Sequence, residues 1–330
     1  MTETTRHAAP AALPATEEKP SFFSRFTVGG PLLGLIILCV VFSLTTDVFL
    51  SARNFLNILD QVTVLGILSI GMTVVIVTAG IDLSVGSILA FSMMMMGWLY
   101  EAHGIPFVIA IFMSLITGAV CGLVNGLLVT RAKLPPFIAT LAMMTIARGL
   151  ANILTGGRQV VGMPDWFTSL SIVRHFGFLS ATVALFIILL IVAGVILRYR
   201  SVGRSFYAIG GSAEVARLAG IRVRQLTTSV YVVAGTLSAV AGIAMASRLD
   251  SCQPSAGLGY ELDTIAAVVI GGASLNGGVG GIGGTLVGVL IIGVLRNGLN
   301  LMAVSPFVQQ IIIGVVIAIA VTADTLRHRD

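Results

Sequence analysis

The sequence predicts an all-α, polytopic membrane protein with about ten transmembrane helices and both termini in the cytoplasm. Three observations support this fold class: a mean hydropathy of +1.03, a hydrophobic fraction of 56% and a charged fraction of only 10% over 330 residues. Soluble domains are roughly a quarter charged. A water-surrounded globule of this length could not cover so apolar a surface.

Ten apolar runs define the predicted transmembrane helices, since a helix needs about twenty apolar residues to cross the hydrocarbon layer. In chain order they are residues 30–49, 62–80, 84–101, 106–130, 136–155, 180–197, 227–246, 262–276, 281–303 and 307–325. We expect some of these crossings to be broken or re-entrant.

The basic residues predict the orientation, because cytoplasmic loops carry an excess of Lys and Arg. With the N-terminus inside, thirteen basic residues are cytoplasmic: Arg6, Lys19, Arg25, Arg131, Lys133, Arg198, Arg200, Arg204, Arg217, Arg222, Arg224, Arg327 and Arg329. Only Arg53, Arg158, Arg174 and Arg248 lie outside. We therefore expect a disordered cytoplasmic tail at 1–28, a transmembrane domain at 29–326 with a cytoplasmic loop at about 198–226, and a cytoplasmic end at 327–330.

The sequence argues against several other classes of function. The net charge is +5, but the basic residues form no patch with aromatic neighbours, so nucleic-acid binding is not expected. The only lysines, Lys19 and Lys133, lie in no phosphate-binding loop, so any nucleotide chemistry belongs to another chain. Neither a metal-ligand spacing nor a nucleophile–base pair is present, so we expect no metal, no cofactor on this chain and no enzyme.

The cysteines are too few and too scattered for a disulfide framework. Cys39 and Cys121 lie inside apolar runs, so we expect them to be small core residues. Cys252 lies in a polar loop and is a candidate free thiol. Glycine recurs at intervals of four at two places, Gly118–Gly122–Gly126 and Gly280–Gly284–Gly288. This spacing predicts close helix–helix packing, because small residues on one face let two backbones approach.

The cytoplasmic loop contains a short predicted helix. Ser212 can cap its N-terminus, Glu214 lies in the first turn, where negative charge is favoured, and Gly220 can adopt the left-handed conformation that ends it. Val215 and Leu218 give it a small apolar face. So short a helix needs a partner, which is either the protein's own membrane-facing end or a cytoplasmic protein.

Asp82 and Ser84 lie between two apolar runs, in the segment GIDLSVGS at 80–87. Either side chain could cap the following helix, and the glycines permit a break in the backbone. Irregular backbone at membrane depth persists only where it is buried in protein or lines a cavity. The segment is therefore either a broken helix along a substrate path or a capped loop at the interface.

Two arginines, Arg148 and Arg296, fall inside apolar runs. A mid-helix arginine costs roughly 2.5–3.5 kcal/mol, so each should find a partner or water, or snorkel outward. Uncharged hydrogen-bonding groups accompany them: Asn125, Asn152, Asn297 and Asn300. A path rich in amides and poor in carboxylates suits a neutral polyhydroxylated solute better than an ion, although interhelical hydrogen bonds would use the same residues.

The outer loop at 247–263 is polar and is punctuated by proline and glycine. It is longer than a turn requires. Gln253 and Tyr260 in this loop are candidates for an outer gate or for contact with a binding protein, and the alternative is a solvated connector.

Several ordered motifs resemble those of the permease subunits of ribose-type monosaccharide importers of the ATP-binding-cassette class. They are GIDLSVGS at 80–87, PPFIATL at 135–141, RSFYAIGG at 204–211, QP at 253–254, GYELDTIAAVV at 259–269 and the segment 293–301. The likeness extends from about Phe49 to the C-terminus. One departure is Val279, where relatives often carry an arginine, so no charged role is expected there.

The resemblance implies a bacterial inner-membrane importer of two permeases, as a homodimer or with a sister permease, and two ATPases. An extracytoplasmic binding protein would deliver the sugar, and ATP and Mg would be bound by the ATPase. The residues that match the coupling segment are Ser205, Ser212, Glu214, Val215, Leu218 and Gly220. Candidates for the translocation path are Asp82, Ser84, Asn125, Arg296 and Asn297.

Two alternative functions remain at this stage. An ion-coupled secondary transporter would need a titratable intramembrane carboxylate, which Asp82 or Asp263 could supply. An ATP-driven permease for a branched-chain amino acid or an autoinducer-type sugar is the other. The motifs do not choose among ribose, xylose, arabinose and galactose.

Overall fold

The computed structural model describes residues 29–327, so the predicted tail at 1–28 and the last three residues lie outside the described part of the chain. The described chain forms thirteen helices and two short strands: α1 (Gly29–Thr45), α2 (Ala52–Val77), α3 (Val85–His103), α4 (Phe107–Thr130), α5 (Pro136–Ile153), β1 (Val160–Val161), α6 (Asp165–Ile172), α7 (Ala181–Tyr199), α8 (Ser201–Gly211), α9 (Ala213–Leu218), α10 (Val223–Leu249), β2 (Ser251–Cys252), α11 (Tyr260–Ile270), α12 (Ile282–Leu301) and α13 (Pro306–Arg327).

Each of the ten predicted apolar runs overlaps one of these helices, but the helices differ in length. Seven of them (α2, α3, α4, α5, α7, α10 and α12) are long and apolar enough to cross a membrane. Helix α2 begins at Ala52, ten residues before the predicted run, and α13 extends one residue past the predicted boundary at 326. The all-α prediction misses one short antiparallel pair of strands, β1 and β2.

Helices α2 and α10 form the centre of the molecule. The apolar stretch of α2 is 89% buried, and α10 packs against α2, α3 and α4. By contrast, only 22% of the corresponding stretch of α7 is buried, so most of its apolar surface faces outward. A helix that is apolar on all sides and central is typical of a bundle core, and an outward apolar helix is typical of a lipid-facing one.

Glycines make the contact between α4 and α10, as their spacing predicts. A Cβ added at Gly118 would clash with the carbonyl oxygen of Gly235, and one added at Gly122 would clash with that of Tyr231. On α12, an added Cβ at Gly288 would clash in the same way with the carbonyl oxygen of Ala267 on α11. Larger residues would separate these backbones, so the glycines fix how closely the helices pack.

Two breaks in the helical backbone meet at one end of the bundle. The first is the segment 78–84 between α2 and α3, and the second is the segment 271–281 between α11 and α12. The backbone N–H of Gly278 donates to the carbonyl oxygen of Val77 at 2.9 Å, which joins the two breaks. Helix α11 has 11 residues, about 16 Å of helix, and cannot cross the hydrocarbon layer alone.

The second break corrects the predicted crossing at 262–276, because helix α11 ends at Ile270. The reason is local: Gly272 and Gly277 have positive φ values of 92° and 85°, which glycine adopts readily and which a helix does not continue through. This interruption agrees with the expectation that some crossings are broken.

Candidate translocation and coupling sites

A polar cavity of about 200 Å³ lies where α2 begins and where α10 and α12 end. It is lined by Gln61, Leu65, Arg248, Tyr260, Asp263, Gly293, Arg296, Asn300 and Gln309. These residues come from five helices, and most of them carry a guanidinium, amide, carboxylate or phenol group. The cavity therefore offers a dense set of hydrogen-bonding groups within an otherwise apolar bundle.

An ion pair forms one wall of this cavity. Arg296 Nη2 lies 2.5 Å from Asp263 Oδ2, and the Arg296 guanidinium lies 5.9 Å from the centre of the Tyr260 ring. The Asp263 side chain is 5% exposed and that of Arg296 is 34% exposed, so the arginine presents more of its side chain to the cavity than the carboxylate does. Arg296 is thus held by a partner rather than by snorkelling.

Amide groups complete the cavity. Gln309 Nε2 donates to Asn300 Oδ1 at 2.8 Å, and Arg248 Nη1 donates to the Asp60 carbonyl oxygen at 3.3 Å. Gln61 Oε1 is buried and accepts no hydrogen bond from the described residues. A buried acceptor without a donor is costly, so a hydroxyl group that reached Gln61 would be stabilised there.

Asp82, Ser84 and Asn125 form a separate, fully buried cluster at the end where the two breaks meet. Asp82 Oδ1 accepts hydrogen bonds from Ser84 Oγ at 2.5 Å and from the Ser84 backbone N–H at 2.8 Å. Asn125 Nδ2 donates to Ser84 Oγ at 2.9 Å. Thr140 Oγ1 accepts from the Leu83 backbone N–H at 3.1 Å. The cluster ties segment 78–84 to α4 and α5, and none of its members lines the polar cavity.

Asn297 pairs with Asn54, at the start of α2. Each side-chain amide donates to the other's oxygen, at 2.9 Å and 2.8 Å, and both residues are buried. This reciprocal pair joins α2 to α12 next to the cavity, but neither asparagine lines it. Its evident effect is to hold the two helices in register.

Helices α8 and α9 have one side packed and one side free. Tyr207 Oη donates to the Gly280 carbonyl oxygen at 2.9 Å, and a Cβ added at Gly210 would clash with the carbonyl oxygen of Val77 and the N–H of Gly278. Helix α8 is therefore in direct contact with both backbone breaks. The sequence predicts only a cytoplasmic loop at about 198–226, and the packing of α8 on Val77 explains why this part of it is helical.

The predicted short helix is confirmed as α9. Ser212 Oγ accepts from the Val215 N–H at 3.3 Å, and Gly220 has a φ of 84°. Arg217 lowers the pKa of Glu214 through a side-chain hydrogen bond and its charge, in an exposed ion pair of 2.5 Å. Val215 and Leu218 are 64% and 74% exposed, so the apolar face of α9 does not pack on this chain.

The middle of the outer loop contacts Arg148, whereas Arg248, Tyr260 and Asp263 toward its ends line the cavity. Arg148 Nη1 donates to the carbonyl oxygens of Pro254 and Ala256 at 2.6 Å and 2.8 Å. Gln253, which lies in this loop, donates through Nε2 to Ser251 Oγ at 3.1 Å and does not line the cavity. Cys252 is a free thiol, as its place in a polar loop predicted, and it is fully buried against Gly97 of α3.

The model of the permease component of branched-chain amino acid transport systems matches residues 54–321. The chain belongs to this permease family. The permease is 48% identical over 297 residues to the ribose import permease RbsC of Bacillus subtilis, covering 89% of this chain and 92% of that one. It is 41% identical over 301 residues to RbsC of Escherichia coli K12 (90% and 93%) and 38% identical over 303 residues to the fructose import permease FrcC of Rhizobium meliloti (89% and 84%). No solved structure matches significantly.

These relatives confirm the resemblance to ribose-type sugar permeases that the sequence motifs predicted. The apolar helices and the family together make the permease a multi-pass membrane protein. The five candidate path residues do not form one site. The structure separates them into the Asp82–Ser84–Asn125 cluster, the Asn297 pair and Arg296 in the cavity.

Sequence analysis missed part of the cavity. The sequence motifs do not indicate Gln61 or Gln309, although each is an amide near the end of an apolar run. A polar residue near the end of an apolar run is a signal for a cavity residue, because its side chain can turn into the bundle at little cost. Tyr260 was placed at an outer gate and does line the cavity.

The Asn54–Asn297 pair gives a prediction for stability. We expect Asn54→Leu or Asn297→Leu alone to destabilise the permease by about 1–3 kcal/mol, because each removes both hydrogen bonds of the pair and leaves the other buried amide without its partner. The double variant should lose less than the sum, since no unpaired amide remains. Thermal unfolding of the purified variants measures this. Additive losses in the double variant would contradict the pairing.

Proposed function

We propose that this chain is the membrane-spanning permease subunit of an ATP-driven importer of monosaccharides. The observation that carries the proposal is 41–48% identity to ribose import permeases over about 90% of the chain. Other relatives are named as permeases for fructose, L-arabinose and D-allose. The name of the matched family refers to branched-chain amino acids, whereas these relatives transport sugars by name, which favours a sugar substrate here.

The proposed topology has ten transmembrane helices and both termini in the cytoplasm of a bacterium, across its inner membrane. The positive-inside rule supports it, because Arg198, Arg200 and Arg204 lie at the end of the bundle that carries α8 and α9. In this orientation the polar cavity opens toward the outside. Helices α1 and α13 add two crossings to the seven longer ones, and α11 together with the non-helical segment 271–281 supplies the remaining one.

The partners follow from this topology. A cytoplasmic ATPase, which would hold ATP and Mg, docks on the segment that includes Ser205, Ser212, Glu214, Val215, Leu218 and Gly220. The exposed apolar face of α9 supports this assignment, because exposed aliphatic side chains on so short a helix are typical of a docking surface. An extracytoplasmic binding protein meets the outer loop near Gln253 and Tyr260. A second permease copy or a sister permease completes the membrane part.

The sugar would enter through the polar cavity. Arg296, Gln61 and Asn300 offer donors and acceptors to hydroxyl groups, and the Tyr260 ring offers an apolar face to a sugar ring. Asp82, Ser84 and Asn125 lie further along the proposed path, and their hydrogen bonds, together with those of the Asn297 pair beside the cavity, hold the path closed. Their hydrogen bonds would have to change when the path opens inward.

Movement of the ATPase would reach the path through α8. Because α8 contacts Val77 and Gly278, a displacement of α9 moves the segments 78–84 and 271–281 together. The first of these segments carries Asp82 and Ser84. Both segments are breaks in the helical backbone, where small rotations of φ and ψ cost less than bending a continuous helix.

Uptake into proteoliposomes tests the proposed function. The permease is reconstituted with its ATPase and binding protein, and radiolabelled ribose, fructose, xylose, arabinose, allose and galactose are offered with and without ATP. We expect uptake of at least one sugar only when ATP is supplied on the ATPase side. Uptake by the permease alone, driven by a proton or sodium gradient, would show an ion-coupled transporter instead and would overturn the proposal.

The cavity gives a prediction for transport. Arg296→Gln leaves the buried carboxylate of Asp263 without its cation, and we expect uptake to fall by roughly tenfold or more, equivalent to about 1.4 kcal/mol. Arg296→Gln/Asp263→Asn should recover thermal stability but not uptake, because the cation is still missing from the cavity. Arg53→Gln, at an exposed site near the same end, is the control. Full uptake by Arg296→Gln would contradict a role for the cavity.

A further inference from the structure

A groove of about 690 Å³ lies between the end of α7, helix α8 and the start of α12, well away from the polar cavity. Its walls include Ile191, Gly194 and Val195 of α7, Ile282 of α12, and the two arginines Arg198 and Arg204. The volume is within the range of about 300–1,000 Å³ that is typical of ligand sites. We propose that this groove binds an anionic phospholipid of the cytoplasmic leaflet. The assignment to that leaflet rests on the topology proposed above.

The apolar walls suit acyl chains. Helix α7 is the least buried of the seven long apolar helices, and Ile188, Ile191 and Val195 are 57%, 57% and 43% exposed. Continuous exposed aliphatic surface on a membrane-spanning helix faces lipid. The groove continues this surface inward to Ile282, so a lipid chain lying on α7 can enter the groove without leaving apolar surroundings.

The charged residues lie at one end of the groove, where a headgroup would be. Arg198 and Arg204 both line it, and in the part of the chain that the structure describes neither forms an ion pair. Arg204 Nη1 lies 3.4 Å from the Tyr199 carbonyl oxygen, and the Arg198 guanidinium lies 5.6 Å from the Tyr199 ring centre. No acidic side chain is among the described lining residues. Basic pockets between transmembrane helices on the cytoplasmic side suit anionic headgroups.

This position would give the lipid influence over coupling. Tyr207, which lines the groove, donates to the carbonyl oxygen of Gly280, and Gly281–Gly283 begin α12. A bound lipid therefore touches the joint between α8 and the break at 271–281. The exposed apolar residues Val215 and Leu218, where the ATPase docks, are not part of the groove.

Native mass spectrometry of the purified full-length permease tests the proposal, by titration with phosphatidylglycerol and, separately, phosphatidylcholine. We expect phosphatidylglycerol to bind more tightly. Each arginine near an anionic headgroup contributes about fivefold, so Arg198→Ala/Arg204→Ala should weaken binding by roughly 25-fold. Arg131→Ala removes an exposed arginine that does not line the groove and should bind as the wild type does.

A second pair of variants tests the groove without changing charge. Gly194→Leu fills it, because an added Cβ at Gly194 meets nothing within 4 Å and the protein can fold around it. Gly149→Leu makes the same change at an equally open site on α5, outside the groove. We expect only Gly194→Leu to expel the lipid.

Three results would overturn the proposal. The first is equal binding of the two lipids by the wild type. The second is an equal loss of binding in Arg131→Ala, which would show a general effect of surface charge. The third is a change of oligomeric state in Gly194→Leu, by light scattering, with lipid binding unchanged, which would show that a second copy occupies the groove. Because the purified chain is measured without its ATPase, these results do not depend on the transport assay.

Discussion

Leu218→Asp is expected to abolish ATP-driven sugar uptake while leaving the permease in the membrane. Leu218 is 74% exposed in α9, so the change costs the isolated chain little. When the ATPase covers α9, the new carboxylate would be buried without a partner, which costs several kcal/mol. Sugar uptake and stimulated ATP hydrolysis in proteoliposomes measure the loss of coupling.

Leu218→Met is the matched control, because it keeps an apolar side chain of similar volume at the same site. It should retain most of the uptake. Membrane content of the three forms should be equal by quantitative immunoblot. ATP-driven uptake by Leu218→Asp at the wild-type rate would exclude α9 as the docking helix.

Gly210→Ala is expected to uncouple or unfold the permease, and Gly211→Ala is expected to do neither. A Cβ at Gly210 would clash with two backbone groups, the carbonyl oxygen of Val77 and the N–H of Gly278, which cannot move aside as a side chain can. We expect Gly210→Ala to lower the free energy of unfolding by about 1–3 kcal/mol and to remove most of the sugar uptake. Thermal unfolding and the uptake assay measure the two effects.

The neighbouring glycine makes this comparison specific. An added Cβ at Gly211 meets nothing within 4 Å, so Gly211→Ala has the same helix propensity change without the clash. Near-equal behaviour of the two variants would mean that α8 is not held tightly against the two breaks. The proposed route of movement from α9 to the path would then be wrong.

The sequence predicts the positions of most long helices well, but it misses the start of α2 by ten residues and predicts the local interruptions poorly. Apolar runs of about twenty residues place α4 and α7 within a residue or two, because the cost of exposing polar backbone to lipid leaves little choice. The end of α11 at Ile270 depends on the positive φ of Gly272 and Gly277, and hydropathy does not register backbone conformation. Helix α8 depends on packing against Val77, which lies far away in the sequence.

For the candidate site, the sequence likewise predicts some features well and others poorly. Sequence motifs identified Asp82, Ser84 and Arg296 as polar residues that an apolar environment must satisfy. The partners that satisfy them could not be read from the chain: Asn54 lies 243 positions from Asn297, and Asp263 lies 33 positions from Arg296. A pattern with a period of two to four residues carries no information on such distances.

The burial of the native thiols makes this permease a suitable background for labelling. Cys121 and Cys252 are buried in protein, and Cys39 lies half-buried within apolar α1. A membrane-impermeant maleimide needs an accessible thiolate in water, and none of these three positions offers one. A single cysteine introduced at Val215 or at Phe176, both strongly exposed and at opposite ends of the bundle by the proposed topology, would therefore report which side of the membrane each end faces.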